Sequence, residues 1–350
     1  MDKFQKKINF YFKANQQIIC TVSQIDSFSG IWDLTTQKEH PKWRELRHQT
    51  MIRSAGSSCR IEGAQMSNQE IAELMEYRQD MDLRTQDQQD VAGYLDVLQE
   101  ISAHHTSWEL SRRTILELHL RLLRHSPRDA RHRGTFSSQN TRELRPAETE
   151  MAELITWTNH QLQAREIHPL IVIGLFAYEL LSIHPFTDGC GRLSRLLTTL
   201  LLLRNQYFFV EYVPFEELLE KNRDKYFDVL RDAQKHRNTE SERIESFILF
   251  FLNCLKTLTV KLQQGTSAKS NRSGYLNERQ KRIRDYIRRE QPVKLSDLAR
   301  GFPEESVNTL KKDLQFLRSE QILSCTGKNR GAVYSMEPTA GVTSSVATHL

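Results

Sequence analysis

LFAYELLSIHPFTDGCGRLSRLLTTLLLLR, residues 175–204, is the stretch on which the reading of this chain turns. Apolar residues at helical spacing run up to a short polar loop, and a second apolar helix leaves it. The loop is His184-Pro185-Phe186-Thr187-Asp188-Gly189-Cys190-Gly191, and the helix after it opens with Arg192 and Arg195. Gly189 and Gly191 at a helix start turn several backbone N–H groups toward one point, where the helix dipole is also positive. That is an anion site, and phosphate suits it best. Arg192 and Arg195 are three apart on one helix face, so both can reach a polyphosphate. Asp188 is an oxygen ligand suited to the Mg²⁺ that accompanies nucleotide phosphates. His184, at the loop entrance, can accept a proton from an attacking hydroxyl. Phe186 reads as an apolar anchor that pins the loop to the core.

This loop resembles the signature of the Fic (Fic/Doc) family, His-x-Phe-x-(Asp/Glu)-Gly-Asn-(Gly/Lys)-Arg-x-x-Arg. It departs at one fixed position, where Cys190 stands in place of the family's Asn. The resemblance implies a mainly α fold, a Fic-type helical bundle, and transfer of AMP from ATP to a Ser, Thr or Tyr hydroxyl of a target protein, which can be the chain itself. It makes His184 the catalytic base and Asp188 the Mg²⁺ ligand. Gly189, Cys190, Gly191, Arg192 and Arg195 become the phosphate site. Upstream, SSCRIEG by itself is a helix end and a turn, with Gly63 as the stop. It also resembles the family's inhibitory motif, (Ser/Thr)-x-x-x-Glu-(Gly/Asn), matched by Ser58, Glu62 and Gly63. On that resemblance Glu62 pairs with Arg195 and denies it to the γ-phosphate, leaving the α-phosphate badly placed for attack. Asn222 and Tyr226, four apart, are similar to positions that line the family's purine pocket; Tyr226 as core and Asn222 as surface fits the same residues. Gly134, Phe136, Pro146 and Trp157 fit the frame of a turn, a target-holding flap and a helix entry. The segment between Phe136 and Pro146 is short, polar and without strand-like alternation, so an ordinary surface loop is the competing reading.

A chain of 350 residues has room for two or three domains. Its hydrophobic content of 38%, charged content of 27% and net charge of +5 fit a soluble protein and permit a nucleic-acid contact without requiring one. Cys20, Cys59, Cys190, Cys254 and Cys325 are scattered, without metal-cluster spacing, as free thiols of a reducing cytosol would be. The first residues lack a signal-peptide core, and the longest apolar run, 196–203, is too short to span a bilayer. The expectation is a cytoplasmic protein without membrane contact.

The domain reading is a helical N-terminal region over 1–107 carrying the inhibitory motif, a core over 108–262, a Gly/Ser-rich linker over 263–274, a winged helix-turn-helix over 275–336, and a disordered tail over 337–350. Ser67 and Glu70 form a capping box, and Ser111 caps a later helix. His119 on that helix reads as a packing or surface histidine. In the C-terminal unit Thr309, Lys311, Lys312 and Gln315 can face a major groove, with Lys328 and Arg330 on the wing. Such modules also bind proteins or form homodimers. Cys190 leaves three functions open: an adenylyltransferase, an AMP-removing enzyme in which Glu62 places a water, and a weak nucleotide sensor that binds DNA or serves as a scaffold. A thiol at a helix start beside two arginines is also expected to have a lowered pKa.

Overall fold

The computed structural model describes residues 3–36, 41–77, 82–137, 146–274, 277–319, 322–327 and 332–336. They fall into two compact units that divide after Leu262. The first unit is helical: α1 (Lys3–Lys7), α2 (Phe12–Thr36), α3 (Pro41–Ile61), α4 (Asn68–Tyr77), α5 (Gln86–His104), α6 (Arg112–Leu122), α7 (Ala147–Ala164), α8 (Pro169–Ile183), α9 (Cys190–Arg204), α10 (Phe215–Lys221), α11 (Arg223–Gln234) and α12 (Glu245–Gly274) as far as Leu262. Among the described residues no helix is long and apolar enough to cross a membrane.

The centre of this unit is the pair α8 and α9. Pro169 starts α8 at the position where its missing N–H costs nothing, and the His168 side chain accepts from the Leu170 N–H at 3.3 Å. Leu170, Val172, Ile173, Leu175 and Phe176 are all buried, so the helix is apolar on nearly every side, as a central helix must be. Leu196, Leu197, Leu200, Leu201 and Leu203 bury α9 likewise. A fully buried leucine stabilises by about 1.5–3 kcal/mol, so two such helices hold the loop between them rigidly at both ends.

The N-terminal helices close around this pair. The Ser67–Glu70 capping box opens α4, with the Ser67 N–H donating to Glu70 Oε2 at 2.8 Å, and Ser111 caps α6 through the Thr114 N–H at 3.1 Å. Gly63, at φ 109°, stops α3 as expected. Helix α3 is tied to α10 by Arg53–Glu217 and by Arg60–Glu220 at 2.6 Å. A buried ion network clips α1 onto the core. Lys7 reaches Glu179 at 2.5 Å and Glu242 at 2.9 Å, and Arg237 reaches Glu179 at 3.0 Å. Burial raises the Glu179 carboxyl pKa above its ordinary value against the pull of Lys7.

The segment 263–274, expected as a Gly/Ser-rich linker, is the helical continuation of α12. Extending a helix already formed costs far less than starting one, so its small polar residues join the existing ladder. The second unit orders α13 (Glu278–Glu290), β1 (Val293–Lys294), α14 (Leu295–Gly301), α15 (Val307–Ser319), β2 (Leu323–Thr326) and β3 (Val333–Met336). Its strands lie antiparallel in the order β1-β3-β2, with Cys325 opposite Tyr334. Ile283, Ile287, Leu298, Leu310, Leu314 and Leu323 form a core of its own. Lys328, Arg330, residues 337–350 and most of the segment between Phe136 and Pro146 lie outside the described residues.

Gly93 lets α5 approach the end of α6 closely: a Cβ there would lie 2.0 Å from the Leu122 carbonyl oxygen. Helix propensity alone would make Gly93→Ala stabilising by up to about 1 kcal/mol. We expect a net loss of about 1–3 kcal/mol from overpacking, read as a lower urea midpoint.

Candidate functional site

The loop between α8 and α9 is set by two left-handed residues. His184 ends α8 at φ 50°, with its N–H on Leu180 O at 3.0 Å, and Gly189 precedes α9 at φ 79°. The first turn of α9 closes with the Leu193 N–H on Gly189 O at 2.9 Å, so the amides of Cys190, Gly191 and Arg192 precede the helical ladder. These are the groups expected to cradle an anion. The His184 side chain is exposed, and Phe186 is buried as the anchor.

Cys190 departs from expectation. Its thiol is 3% exposed and closes a four-residue bracket: the Phe186 N–H donates to Sγ at 3.3 Å, and the S–H donates to the Phe186 carbonyl at 3.4 Å. Burial pushes its pKa up to about 12, although the Phe186 N–H works the other way. The expected lowering fails because the side chain turns into the protein, away from the helix mouth.

Asp188 is half-exposed. Its carboxylate accepts from the Gly189 N–H at 2.6 Å, and lies 3.4 Å from Arg192 and 2.6 Å from Arg128. Burial works to raise its pKa, but Arg192, the Gly189 N–H and Arg128 outweigh it and hold the carboxyl below its ordinary value.

Arg192 and Arg195, expected side by side, are both buried and committed to different acids. Arg192 pairs with Asp90 on α5 at 2.7 Å. Arg195 donates from Nε to Ser58 Oγ at 2.7 Å, and from Nη2 to Ser58 O at 2.9 Å and Glu62 Oε1 at 2.7 Å. Burial pulls the Arg195 pKa down, but Glu62 outweighs it and leaves it above its ordinary value. The Glu62 carboxylate also lies against Gly191, where a Cβ would meet Oε1 at 2.2 Å. Ser58 and Glu62 thus reach the loop across more than 130 residues of chain, and Gly63 contributes by ending α3.

Asn222 and Tyr226 do not share an environment. Asn222 is exposed and bonds the Leu218 carbonyl at 2.8 Å, while Tyr226 is buried against Phe250, with ring centroids 6.0 Å apart. Helix α11 turns the Tyr226 ring toward α12, where it also lies close enough to Arg195 for that charge to oppose the rise in its pKa caused by burial.

Two residues of the site carried no signal in the sequence. Asp90 sits on α5 as one acid among several. His119, on α6, is buried and stacks on Phe186 with ring centroids 3.7 Å apart and an 18° tilt. Its Nδ1 accepts from the Gly134 N–H at 2.8 Å and its Nε2 lies 3.0 Å from the Asp188 carbonyl. Burial pushes its pKa down to about 4. A Ser137 N–H bond to Pro185 O, 2.8 Å, joins the same strip of backbone to the loop.

Cys190 alkylation tests this placement. Native protein treated with iodoacetamide at pH 8 should be labelled at exposed Cys20 and spared at Cys190, Cys59 and Cys254, each with a pKa pushed to about 12 by burial. Labelling of Cys190 should rise only as pH approaches that value, or after unfolding. Peptide mass spectrometry reads the result.

A sequence model described as the Fic/DOC family matches residues 109–202. The chain is 28% identical over 256 residues to a Drosophila virilis protein named protein adenylyltransferase Fic, and 29% identical over 239 residues to one from Aedes aegypti. These matches cover 71% and 65% of this chain, and the chain spans about half the length of the curated relatives, 49% and 44%. Among solved structures, a Fic family protein from Desulfovibrio desulfuricans aligns with a TM-score of 0.59 at 21% identity, covering 93% of this chain and 97% of that one. The Caenorhabditis elegans protein Fic-1 (residues 134–508) aligns at 0.60 and 18% identity, over 73% of each chain. The order of the helices, the loop between α8 and α9 and these likenesses agree: residues 109–202 match the Fic/DOC family model, and the chain shares the fold of solved Fic proteins.

Proposed function

We propose that this chain is a protein adenylyltransferase that moves AMP from ATP to a Ser, Thr or Tyr hydroxyl of a protein target, and that Glu62 restrains it. The observation that carries the reading is the exposed His184 imidazole beside the open first turn of α9. The name borne by the relatives supports the same chemistry. The target oxygen bonds to the α-phosphorus, its proton passes to His184, and the bond to the departing pyrophosphate breaks. The amides of Cys190, Gly191 and Arg192 meet the charge that gathers on the phosphate oxygens.

Asp188 fits a Mg²⁺ site, because it is a half-exposed carboxylate held ionised, and Mg²⁺ on a nucleotide asks the protein for one or two carboxylates. A bound Mg²⁺ neutralises phosphate charge. On the protein side, the exposed Arg128 side chain has to leave Asp188 for a cation to enter. Glu62 restrains the site twice over. It takes the Arg195 charge, and its carboxylate fills the space above Gly191. Cys190 gives little support to a silent nucleotide sensor, because its thiol keeps the loop bracketed through Phe186 and leaves the backbone cradle in place.

For the second unit, the helix order and the strand pair fit a winged helix-turn-helix, and α15 is the candidate DNA reader. Lys311, Lys312 and Gln315 are exposed along it, while the Thr309 hydroxyl is engaged with Ser306 at 2.8 Å. Phosphate contacts by these lysines predict that Lys311→Ala with Lys312→Ala weakens binding to a duplex and lowers its salt dependence by up to about two in the log–log slope. Fluorescence anisotropy on a labelled duplex reads this; an unchanged slope assigns the unit to another partner.

Transfer itself is tested with α-³²P-ATP. Glu62→Gly should label the protein or a lysate target at least tenfold more than the parent, and His184→Ala added to it should abolish the label. Retained ATP binding without label in Glu62→Gly would overturn the transferase reading.

A further inference from the structure

We infer that His119 is a positioning residue for the phosphate cradle, locking the peptide unit between Asp188 and Gly189 in the orientation that keeps its carbonyl away from the anion. The inference rests on reading this loop as a triphosphate site.

Hydrogen-bond chemistry fixes the imidazole. The Gly134 N–H can only donate, so Nδ1 must offer a lone pair. The Asp188 carbonyl can only accept, so Nε2 must carry the proton. One neutral tautomer satisfies both, and a side chain only 1% exposed has no water to substitute for either partner. The ring cannot tilt, because it lies flat on Phe186, which the Cys190 thiol holds by both of its backbone polar groups.

What this lock prevents is a peptide flip. Gly189, at φ 79° and ψ 0°, has the angles of the third residue of a type II turn. Type I and type II turns differ chiefly by rotation of the central peptide, here the one joining Asp188 to Gly189. In the flipped form the Asp188 carbonyl oxygen would change sides, the Gly189 N–H would leave the Asp188 carboxylate, and glycine would give up its left-handed angle. A carbonyl on the cradle side repels phosphate. The bond from Nε2 therefore selects the turn that binds an anion, and it does so from α6 without touching the nucleotide. The same imidazole links the loop to the backbone at Gly134, three residues before the Ser137 bond to Pro185.

The test uses full-length protein carrying Glu62→Gly, with His119→Phe or His119→Gln added. Phenylalanine keeps the stack and loses both hydrogen bonds; the glutamine amide N–H can still reach the Asp188 carbonyl. Isothermal titration with ATP and with adenosine separates the cradle from the rest of the pocket. We expect His119→Phe to weaken ATP at least tenfold and adenosine less than twofold, with His119→Gln restoring most of the loss. Equal weakening of both ligands, or none, would reduce His119 to a packing residue. The Gly189 amide resonance of the free protein gives an independent reading. It should move in His119→Phe and return toward its parent position in His119→Gln, and a stationary resonance overturns the inference. If the Glu62→Gly protein binds neither ligand, the transferase reading falls, while that resonance still decides the role of His119.

Discussion

A guanidinium buried in a helical core must be given acceptors, and much of the N-terminal half of this protein follows from that demand. Arg195 sits on α9 among buried leucines, with Arg192, Ser194 and Thr198 buried on the same helix. Leaving a buried charge unpaired costs several kcal/mol. Helix α3 supplies the partners from its last turns: a hydroxyl and a carbonyl from Ser58, and a carboxylate from Glu62. That requirement fixes where α3 ends, and Gly63 ends it there. It fixes the helix's rotation too, because Ser58 and Glu62 are one turn apart and must both face α9. The ion pairs to Glu217 and Glu220 on α10 then prevent α3 from sliding along its axis.

The parts of this arrangement legible in the sequence were those written locally. Caps at Ser67 and Ser111, the stop at Gly63, and the loop from His184 to Arg195 each declare themselves within about a turn or two of chain. The Glu62–Arg195 pair was legible only through resemblance, since nothing in either neighbourhood points to the other. Partners with no motif at all stayed hidden. Asp90, His119 and the Lys7–Glu179–Arg237 network are ordinary polar residues on amphipathic helices until packing brings them together. At 263–274 glycine and serine content concealed the helix that runs into the segment, while the two compact units divide where the segment begins. Sequence misled at Cys190 for a different reason: position at a helix start says nothing about which way a side chain turns.

That rotation explains how a cysteine serves where the family has an amide. The site asks for one acceptor and one donor within reach of Phe186. A thiol supplies both, weakly, and its small size allows it to be buried. The weaker bonds are tolerable because Phe186 is held three further ways: by its own burial, by the His119 face and by Phe136 at 5.2 Å. The amide's extra donor is the one feature the thiol cannot reproduce.

The two acidic partners of the arginines differ in a way that bears on reversibility. Arg195 also bonds two neutral acceptors on Ser58, so withdrawal of the Glu62 carboxylate alone would leave the guanidinium short of negative charge. For a fully buried pair such a shortage costs about 3–5 kcal/mol. Here it is smaller, because the Glu62 side chain is 40% exposed and solvent screens the pair. A phosphate arriving at Arg195 makes good the missing charge. On the proposed reading, one anion then replaces another on the same guanidinium.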